Sequence, residues 1–174
     1  LQRFASLDEL TALYNRRYLG ELLDKLCKGE NAFAVFYMDL NHFKAVNDEL
    51  GHAAGDAILT EMGRVLKGAC RENDIVARIG GDEFVMFLPG AFDWQTGKRK
   101  IGEIQDSLRT VMITTWGIRG IRASIGAALC PEDGMDYETL FKAADEAMYL
   151  DKEQSKNRNE SREAGEEKQD RTIS

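Results

Sequence analysis

The chain has 174 residues, of which 43% are hydrophobic and 30% are charged, and its formal net charge is −7. This length and composition fit one globular domain with a core large enough to fold alone. The acidic balance argues against a surface that coats nucleic acid, which would show a basic stripe, but it leaves a nucleotide ligand open.

The three cysteines are odd in number, widely spaced and free of any CxxC pair. That usage favours reduced core thiols over a disulfide framework or a zinc site. The sequence has no apolar run near the ~20 residues of a membrane span and no signal peptide. These features predict a cytoplasmic domain. Because the chain begins at Leu1 without Met, we expect a piece of a larger protein with an upstream sensory or membrane domain.

The first predicted elements are a helix and a buried strand. Residues 16–28 carry apolar side chains at helical spacing, and we predict a helix that is capped by Asn15 and ended by Gly29. Residues 32–38 form a continuous apolar run. Such a run is typical of a strand that is buried on both faces. The strand is predicted to end at Asp39.

The rest of the chain alternates between helical and strand-like patterns. The predicted elements are, in order, a helix over 41–50 closed by Gly51, a helix over 53–70, a hairpin over 75–88, a helix from Asp93 to about Met112, a strand from Ile118 to Leu129 and a helix from Met135 to about Asp151. This order predicts a mixed sheet covered by helices, an α/β or α+β fold. We place the domain in residues 1–152 and predict that the polar residues 153–174 form a disordered or solvated tail.

The turn of the predicted hairpin is the most informative segment, and it reads Arg78-Ile79-Gly80-Gly81-Asp82-Glu83-Phe84. The two glycines can take positive φ, and their small size lets a ligand approach the backbone. The two carboxylates beside them are hard-oxygen donors suited to Mg²⁺. A solvated turn is the alternative, although an ordinary hairpin does not need Gly-Gly-Asp-Glu before a buried strand.

A third carboxylate belongs with this turn if the first strand and the hairpin are neighbours. Asp39, Asp82 and Glu83 would then converge at one edge of the sheet. Clustered carboxylates raise each other's pKa unless cations intervene. A pair of divalent ions resolves the repulsion and is the usual apparatus of phosphoryl transfer. The alternative for Asp39 is to cap the helix that follows.

Residues 41–56 are dense in polar groups that suit a nucleotide. Lys44 is placed to meet a phosphate, and Asn47 and Asp56 offer the amide and carboxylate that a guanine edge requires. The alternative is that Asn47 and Asp56 are helix caps and Lys44 is a surface charge. The only histidines, His42 and His52, lack the spacing of a zinc site.

Several motifs occur in order along the chain. They are Asp8-Glu9-Leu10-Thr11, Leu13-Tyr14-Asn15-Arg16-Arg17, Met38-Asp39-Leu40-Asn41-His42-Phe43-Lys44, Asn47-Asp48 with Gly51-His52 and Gly55-Asp56, the glycine turn, Ser124-Ile125-Gly126-Ala127 and Ala144-Asp145-Glu146-Ala147-Met148-Tyr149. Together they resemble the GGDEF family of diguanylate cyclases over residues 6 to 152. The order and spacing make this resemblance far more specific than a Gly-Gly pair.

The resemblance implies a fold and an activity. The fold is a mixed five-stranded sheet wrapped by helices, like the palm of nucleotidyl cyclases. Two GTP-loaded domains face each other in a homodimer, each 3′-hydroxyl attacks the partner's α-phosphate, and cyclic di-GMP forms as two pyrophosphates leave. The resemblance also implies two Mg²⁺ or Mn²⁺ ions per active site and no nucleic-acid partner.

The resemblance further implies a role for each matching residue. The expected metal ligands are Asp39, the main-chain carbonyl of Leu40, and Asp82; the expected catalytic residues are Asp82 and Glu83; and the expected GTP-binding residues are Asn47, His52, Asp56, Phe43, Lys44, Gly80, Gly81 and Lys142. Arg71 and Asp74 match an RxxD site that binds the product and inhibits the enzyme. An arginine can fork onto phosphate or guanine, and an aspartate can accept guanine N–H groups. An ordinary pair at a helix end is the alternative.

Three positions depart from the family pattern. Asn41 stands where many members have a second aspartate, Ala12 replaces a common glycine, and Ala143 follows Lys142 where a basic residue is frequent. Asn41 removes one negative charge near the metals and Ala143 one positive charge near the phosphates. Because Asp39, Asp82 and Glu83 are intact, we expect a competent enzyme.

Two other readings remain. One is a catalytically inactive domain that binds GTP or cyclic di-GMP as a regulatory module. The intact glycine turn favours the enzyme over this alternative. The other is a structural dimerisation domain, which would not need Asp39, Asn47 and Asp56 together.

Overall fold

The computed structural model describes residues 6–26, 28, 32–90, 93–117 and 121–170. The elements are, in chain order, β1 Tyr14–Asn15, α1 Arg16–Leu26, β2 Phe33–Leu40, α2 Phe43–Leu50, α3 His52–Ala69, β3 Ile75–Arg78, β4 Glu83–Pro89, α4 Trp94–Trp116, β5 Ala123–Cys130 and α5 Tyr137–Asp170. Side chains that precede α1 and α4 cap the first turns of these helices by accepting hydrogen bonds from main-chain N–H groups. Asn15 Oδ1 accepts from the Tyr18 amide at 3.0 Å, and Asp93 Oδ1 accepts from the Thr96 amide at 2.6 Å.

The five strands form one mixed sheet in the order β1-β3-β4-β2-β5. β1 runs parallel to β3, and the other pairs are antiparallel. β2 therefore lies between β4 and β5, and its eight residues are all buried. A central strand that is covered on both faces explains the uninterrupted apolar run of its sequence.

Helices cover both faces of the sheet, and side chains alternate between them along each strand. Ala34, Phe36, Met38 and Leu40 of β2 pack with α3 and α4. Phe33, Val35 and Tyr37 pack instead with α1 and α5. The odd-numbered face of β2, which also carries Asp39, is therefore the face that α5 covers.

The structure confirms the predicted mixed five-stranded fold and corrects several bounds. β1 was not predicted, and β5 begins at Ala123, whereas the strand was predicted to begin at Ile118. Ile118 and Gly29, the predicted end of the first helix, lie outside the described residues. α5 continues to Asp170. Of the two alternatives predicted for the tail, disorder is therefore wrong for residues 153–170 but a solvated extension is not contradicted. Residues 171–174 are not described. Among the described helices, none is long and apolar enough to cross a membrane.

Candidate active site

The register of three strands brings polar side chains to one edge of the sheet. Asp39 lies opposite Glu83 of β4 on one side and opposite Ser124 of β5 on the other. Residues paired across antiparallel strands share a face, so all three lie on the face that α5 covers. The strand continues to Leu40, which places Asp39 inside β2, where it is only 7% exposed.

Asp82 lies beside Asp39 because the hairpin turn folds back onto the end of β2. The Leu40 amide donates to the Asp82 carbonyl at 3.3 Å, and the Ile79 amide donates to the Glu83 carbonyl at 3.0 Å. Burial, followed by a hydrogen bond to Asp39 and the charge of Asp39, raises the pKa of Asp82 from 3.8 to about 6. The structure thus brings two of the predicted carboxylates into direct contact.

Lys152 supplies a cation to this pair, and the sequence did not predict it. Its Nζ lies 2.5 Å from Asp39 Oδ2 in an ion pair. Burial alone would lower the pKa of Lys152, but the hydrogen bond and charge of Asp39, with the charges of Asp82 and Glu83, raise it above its usual value. Lys152 therefore stays charged and neutralises part of the carboxylate charge.

A close approach between α5 and β5 sets the position of Lys152. A Cβ on Gly126 would lie 2.1 Å from both the Ala144 carbonyl oxygen and the Met148 amide nitrogen. Only glycine lets the helix rest so near the strand. One turn further on, Asp151 Oδ2 accepts from the Ile125 amide at 3.1 Å. Its neighbour Lys152 is thereby held at the edge of the sheet.

Lys142, the lysine predicted to contact phosphate, lies elsewhere on α5. Its side chain is 79% exposed and is 3.9 Å from Glu146. Ten residues separate it from Lys152, which is about 15 Å along a helix. The structure therefore does not bring Lys142 to the two carboxylates.

Of the two predicted reasons for the glycines of the turn, positive φ and small size, the structure supports the small size. The positive φ values of described glycines belong to Gly51, Gly90, Gly117 and Gly134, so the expectation of positive φ in this turn is wrong. A Cβ on Gly80 would lie 2.6 Å from Glu83 Oε2. A Cβ on Gly81 would meet no described atom within 4 Å. Gly80 therefore makes room for a carboxylate, whereas Gly81 borders open space.

Glu83 turns toward Tyr37. Burial, the charges of Glu83 and Asp145, and a hydrogen bond with Glu83 raise the pKa of Tyr37, so its hydroxyl is a protonated donor to the Glu83 carboxylate. The ring of Phe141 packs edge-on against Tyr37, with centroids 4.9 Å apart. The Tyr37 hydroxyl therefore lies within reach of the Glu83 carboxylate.

The three predicted carboxylates, Asp39, Asp82 and Glu83, lie at the same edge of the sheet. Within the described part of the chain, no three Asp, Glu, His or Cys side chains are arranged to hold one metal ion. Asp39 and Asp82 still fit a divalent cation. Asp39 Oδ1 is buried and has no hydrogen-bond partner among the described residues, which is costly unless a cation or another donor reaches it.

Asn41 is part of the wall of this site. It is 6% exposed, and its Oδ1 accepts from Ser124 Oγ at 2.9 Å. The main-chain N–H of Asn41 donates to the Arg122 carbonyl at 2.8 Å and continues the hydrogen-bond ladder between β2 and β5. The side chain thus has a structural partner and adds no charge beside the two carboxylates.

The predicted guanine-binding residues lie on the hairpin of α2 and α3. A Cβ on Gly55 would lie 1.9 Å from Asn47 Oδ1 and 3.1 Å from Phe43 Cζ, so these two side chains lie directly over Gly55. His52 and Asp56 are exposed at the start of α3. The α2–α3 hairpin therefore presents an amide, an imidazole and a carboxylate, and Lys44 is exposed on α2.

Arg71 and Asp74 form a turn between α3 and β3, remote in the fold from the glycine turn. The Arg71 amide donates to Asp74 Oδ2 at 2.7 Å. A cavity of about 370 Å³ is lined by this pair together with Arg99, Lys100 and Glu103 of α4. The two predicted residues therefore come together at a cavity with several cationic side chains.

Comparison with known proteins finds relatives over most of the chain. The family model described as "Diguanylate cyclase, GGDEF domain" matches residues 5–158. The chain is 36% identical to signaling protein YkoW of Bacillus subtilis over 174 residues, which covers 91% of this chain and 20% of YkoW. It is 34% identical over 154 residues to diguanylate cyclase TpbB of Pseudomonas aeruginosa, which covers 86% of this chain and 35% of TpbB. The chain thus spans only a part of these relatives.

Solved structures show the same fold. A sensory box/GGDEF family protein from Caulobacter crescentus has a TM-score of 0.74 and 35% identity, with 86% of this chain and 99% of that chain covered. The coiled coil and GGDEF domain of DgcB from Caulobacter crescentus, solved in complex with c-di-GMP, has a TM-score of 0.77 and 27% identity, with 87% and 83% covered.

Proposed function

The chain belongs to the GGDEF family, and from that membership we propose that it is a diguanylate cyclase, which condenses two GTP into cyclic di-GMP and releases two pyrophosphates. One observation carries the proposal: Asp39 and Asp82 are in contact beside a glycine turn that opens to free space. A regulatory or structural domain has no need for two adjoining carboxylates at such a position.

The edge of the sheet supplies the groups for phosphoryl transfer. Asp39, Asp82 and the main-chain carbonyl of Leu40 would hold divalent metal, Mg²⁺ or Mn²⁺, with two ions per site. When bound, the metal neutralises charge on the α-phosphate and favours ionisation of the attacking 3′-hydroxyl. Asp82 or Glu83 accepts the proton of that hydroxyl, and Tyr37 orients Glu83 for this role.

Lys152 is the phosphate contact that the geometry supports, in place of Lys142. Its ammonium lies beside the carboxylates that would bind the metal, where the triphosphate must also lie. With a cation on Asp39, the Lys152 ammonium would be free to pair with phosphate oxygens. Lys44 and Phe43 are the proposed contacts to the triphosphate from the α2 side.

The α2–α3 hairpin reads the guanine base. Asp56 accepts from guanine N1–H and N2–H₂, and Asn47 donates to O6 or accepts from the base. His52 adds a further contact to the guanosine part.

One domain holds half an active site, so two GTP-loaded copies must meet as a homodimer. The proposed setting is the cytoplasm, downstream of a sensory or membrane domain, with residues 1–152 forming the catalytic unit.

Incubation of the pure protein with GTP and Mg²⁺, followed by chromatography, tests the proposal. We expect cyclic di-GMP with two pyrophosphates for each product molecule. The rate per protein should rise with protein concentration because turnover needs a dimer. Binding of GTP without any product across a wide range of concentrations would support the regulatory module instead.

Asp56→Ala is expected to raise the KM for GTP by roughly tenfold or more and to weaken the preference for GTP over ATP. The change leaves two guanine donors without an acceptor, and such a loss penalises GTP alone. Steady-state kinetics with both nucleotides measure the effect. Glu49→Ala removes an exposed carboxylate of α2 and serves as the control. Equal losses for GTP and ATP would count against a guanine-reading role.

Arg71→Ala is expected to leave the initial rate unchanged and to weaken inhibition by cyclic di-GMP by about tenfold or more, since charge-assisted hydrogen bonds to the product are lost. The proposed inhibitory site comprises Arg71 and Asp74. Progress curves with added product measure the inhibition constant, with Arg109→Ala as an exposed control on α4. An unchanged inhibition constant would remove this site from the account.

Gly80→Ala and Gly81→Ala form a matched pair with different expected effects. At position 80 the methyl group displaces the Glu83 carboxylate, so kcat should fall by about tenfold or more. At position 81 the methyl group occupies the open space where the substrate approaches, so the KM for GTP should rise. Both variants should keep the wild-type melting temperature. Identical kinetic profiles for the two would contradict these separate roles.

A further inference from the structure

The backbone around Asp82 needs support from outside the glycine turn. Two adjacent glycines lose more conformational freedom on folding than other residues, yet Asp82 directly follows them. Catalytic groups must be held close to their productive geometry, since a misplacement of about 1 Å can cost a hundredfold in rate. Something outside the turn must therefore fix the backbone around Asp82.

Arg78 provides that support from the end of β3. Its Nε and Nη2 donate to the Gly81 carbonyl oxygen at 3.0 and 2.8 Å. The Gly81 carbonyl belongs to the planar peptide unit that includes the nitrogen and Cα of Asp82. On the other side, the Asp82 carbonyl accepts from the Leu40 amide at 3.3 Å. The backbone of Asp82 is thus held on both sides.

Asp8 in turn fixes Arg78. The remaining nitrogen, Nη1, donates to Asp8 Oδ1 and Oδ2 at 3.1 and 3.2 Å. The Arg78 and Asp8 side chains are 16% and 21% exposed, respectively. Partial burial opposes ionisation of Asp8, but hydrogen bonds from Thr11 and Arg78 lower its pKa. This ion pair is therefore well shielded from solvent, and it joins residues 70 positions apart in the chain.

Asp8 belongs to a rigid turn. Asp8 Oδ2 accepts from the Thr11 amide at 2.8 Å and from Thr11 Oγ1 at 2.7 Å. The Asp8 amide donates to the Leu13 carbonyl at 2.7 Å, and the Ala12 amide donates to the Asp8 carbonyl at 2.9 Å. Ala12 has a φ of 57°, in the region that favours glycine, which explains the glycine common at this position.

We propose that Arg78 is a positioning residue that holds Asp82 through the Gly81 carbonyl, and that Asp8 couples the turn of residues 8–13 to the catalytic turn. A guanidinium is required because only its fork can reach the carbonyl and the carboxylate together. A displacement of residues 8–13 would shift the arginine and with it the peptide unit before Asp82. This inference rests on the proposed cyclase function for its effect on rate, but its structural part does not.

Hydrogen exchange and kinetics on the whole chain test the proposal together. Arg78→Lys keeps the charge and loses the fork, and Asp8→Asn keeps the size and loses the charge. We expect both to speed amide exchange in residues 79–83 by about tenfold or more, without faster exchange in α4. kcat should fall by roughly tenfold to a hundredfold, with little change in the KM for GTP. Asp8→Glu should restore part of the rate.

Arg109→Lys and Asp106→Asn are the matched controls, because they alter an exposed Arg–Asp pair on α4 and should change neither measurement. Unchanged exchange at 79–83 in Arg78→Lys would overturn the positioning role. Unchanged exchange there in Asp8→Asn alone would overturn the coupling to residues 8–13. If the wild type makes no cyclic di-GMP, the proposed function fails, while the exchange measurements still decide the structural claim.

Discussion

Asp82→Asn is expected to abolish synthesis of cyclic di-GMP and, at the same time, to stabilise the metal-free protein. The loss of activity follows because a neutral amide is a poor ligand for the divalent metal that neutralises the migrating phosphate. A fall in rate of about a thousandfold or more, or several kcal/mol in the barrier, is expected. Asp106→Asn, which neutralises an exposed carboxylate of α4, serves as the control.

The gain in stability follows from the repulsion between Asp82 and Asp39. Because burial and Asp39 raise the pKa of Asp82 to about 6, the folded state binds this proton more tightly than the unfolded chain does. Asp82 therefore stabilises the fold below about pH 4, and this contribution is lost as the pH rises through about 6. Asparagine avoids the charge, so at pH 7.5 without metal we expect a gain of about 1 kcal/mol after allowance for solvent screening.

Chemical denaturation in EDTA across pH 4 to 8 measures this effect. The stability difference between Asp82→Asn and wild type should grow between pH 4 and pH 6 and then level off. Added Mg²⁺ should stabilise the wild type and leave the variant unchanged. A variant that keeps near-normal turnover in Mg²⁺, or that is less stable than wild type at pH 7.5, would contradict the assignment.

Asp39→Asn is expected to abolish turnover as well, but with the opposite effect on stability. Asp39 is buried and is the partner of Lys152. Its neutralisation relieves the repulsion with Asp82, but it removes the nearest counter-charge of a partly buried ammonium, which Asp82 and Glu83 only partly replace. We expect a net loss of about 1 kcal/mol. Urea denaturation at pH 7.5 measures the loss, and cyclic dinucleotide synthesis measures the activity.

A second substitution separates the two effects. Lys152→Met in the Asp39→Asn background removes the ammonium and should recover most of the lost stability, with no recovery of turnover. The double-mutant cycle then gives the interaction energy of the pair. A cycle with no interaction energy would show that the ion pair does not contribute to the metal-free fold. Recovered turnover in the double variant would show that Asp39 is not a metal ligand.

The central part of the fold was predictable because its signals are strong. The apolar run before Asp39 has the pattern of a strand with both faces covered, and the structure has eight buried residues there. The hairpin on either side of the glycines was also predicted correctly. The sequence left open whether these two features are neighbours, and the contact between Asp39 and Asp82 depends on the pairing of β2 with β4 that the structure shows.

Other features carried weaker signals or were misread. β1 has two residues, which is too short for any periodicity. The polar residues after Asp151 lack an apolar face, but they are rich in Glu, Lys, Gln and Arg, which favour helix even without packing, and α5 continues through them to Asp170. Helix propensity would have extended this helix where hydrophobic periodicity did not.

Lys152 shows why site residues on a packed helix are hard to predict. Which lysine of α5 reaches Asp39 depends on the rotation and height of the helix over β5, and these are set by the close approach at Gly126. The sequence held one relevant signal, a glycine inside a strand, which often marks a close backbone approach. Positive φ was predicted for Gly80 and Gly81 and neither has it, whereas the close approach of Glu83 Oε2 explains why position 80 has no side chain.

The most direct test of the metal assignment is to locate a bound cation by NMR. Mn²⁺ at substoichiometric amounts broadens amide signals near its site, and the ¹⁵N-labelled chain reports every amide. If the metal ligands are assigned correctly, we expect selective broadening at residues 39–41 and 80–83, and its loss in Asp39→Asn and in Asp82→Asn. Broadening centred anywhere else, or broadening at these residues that survives both substitutions, would contradict this assignment.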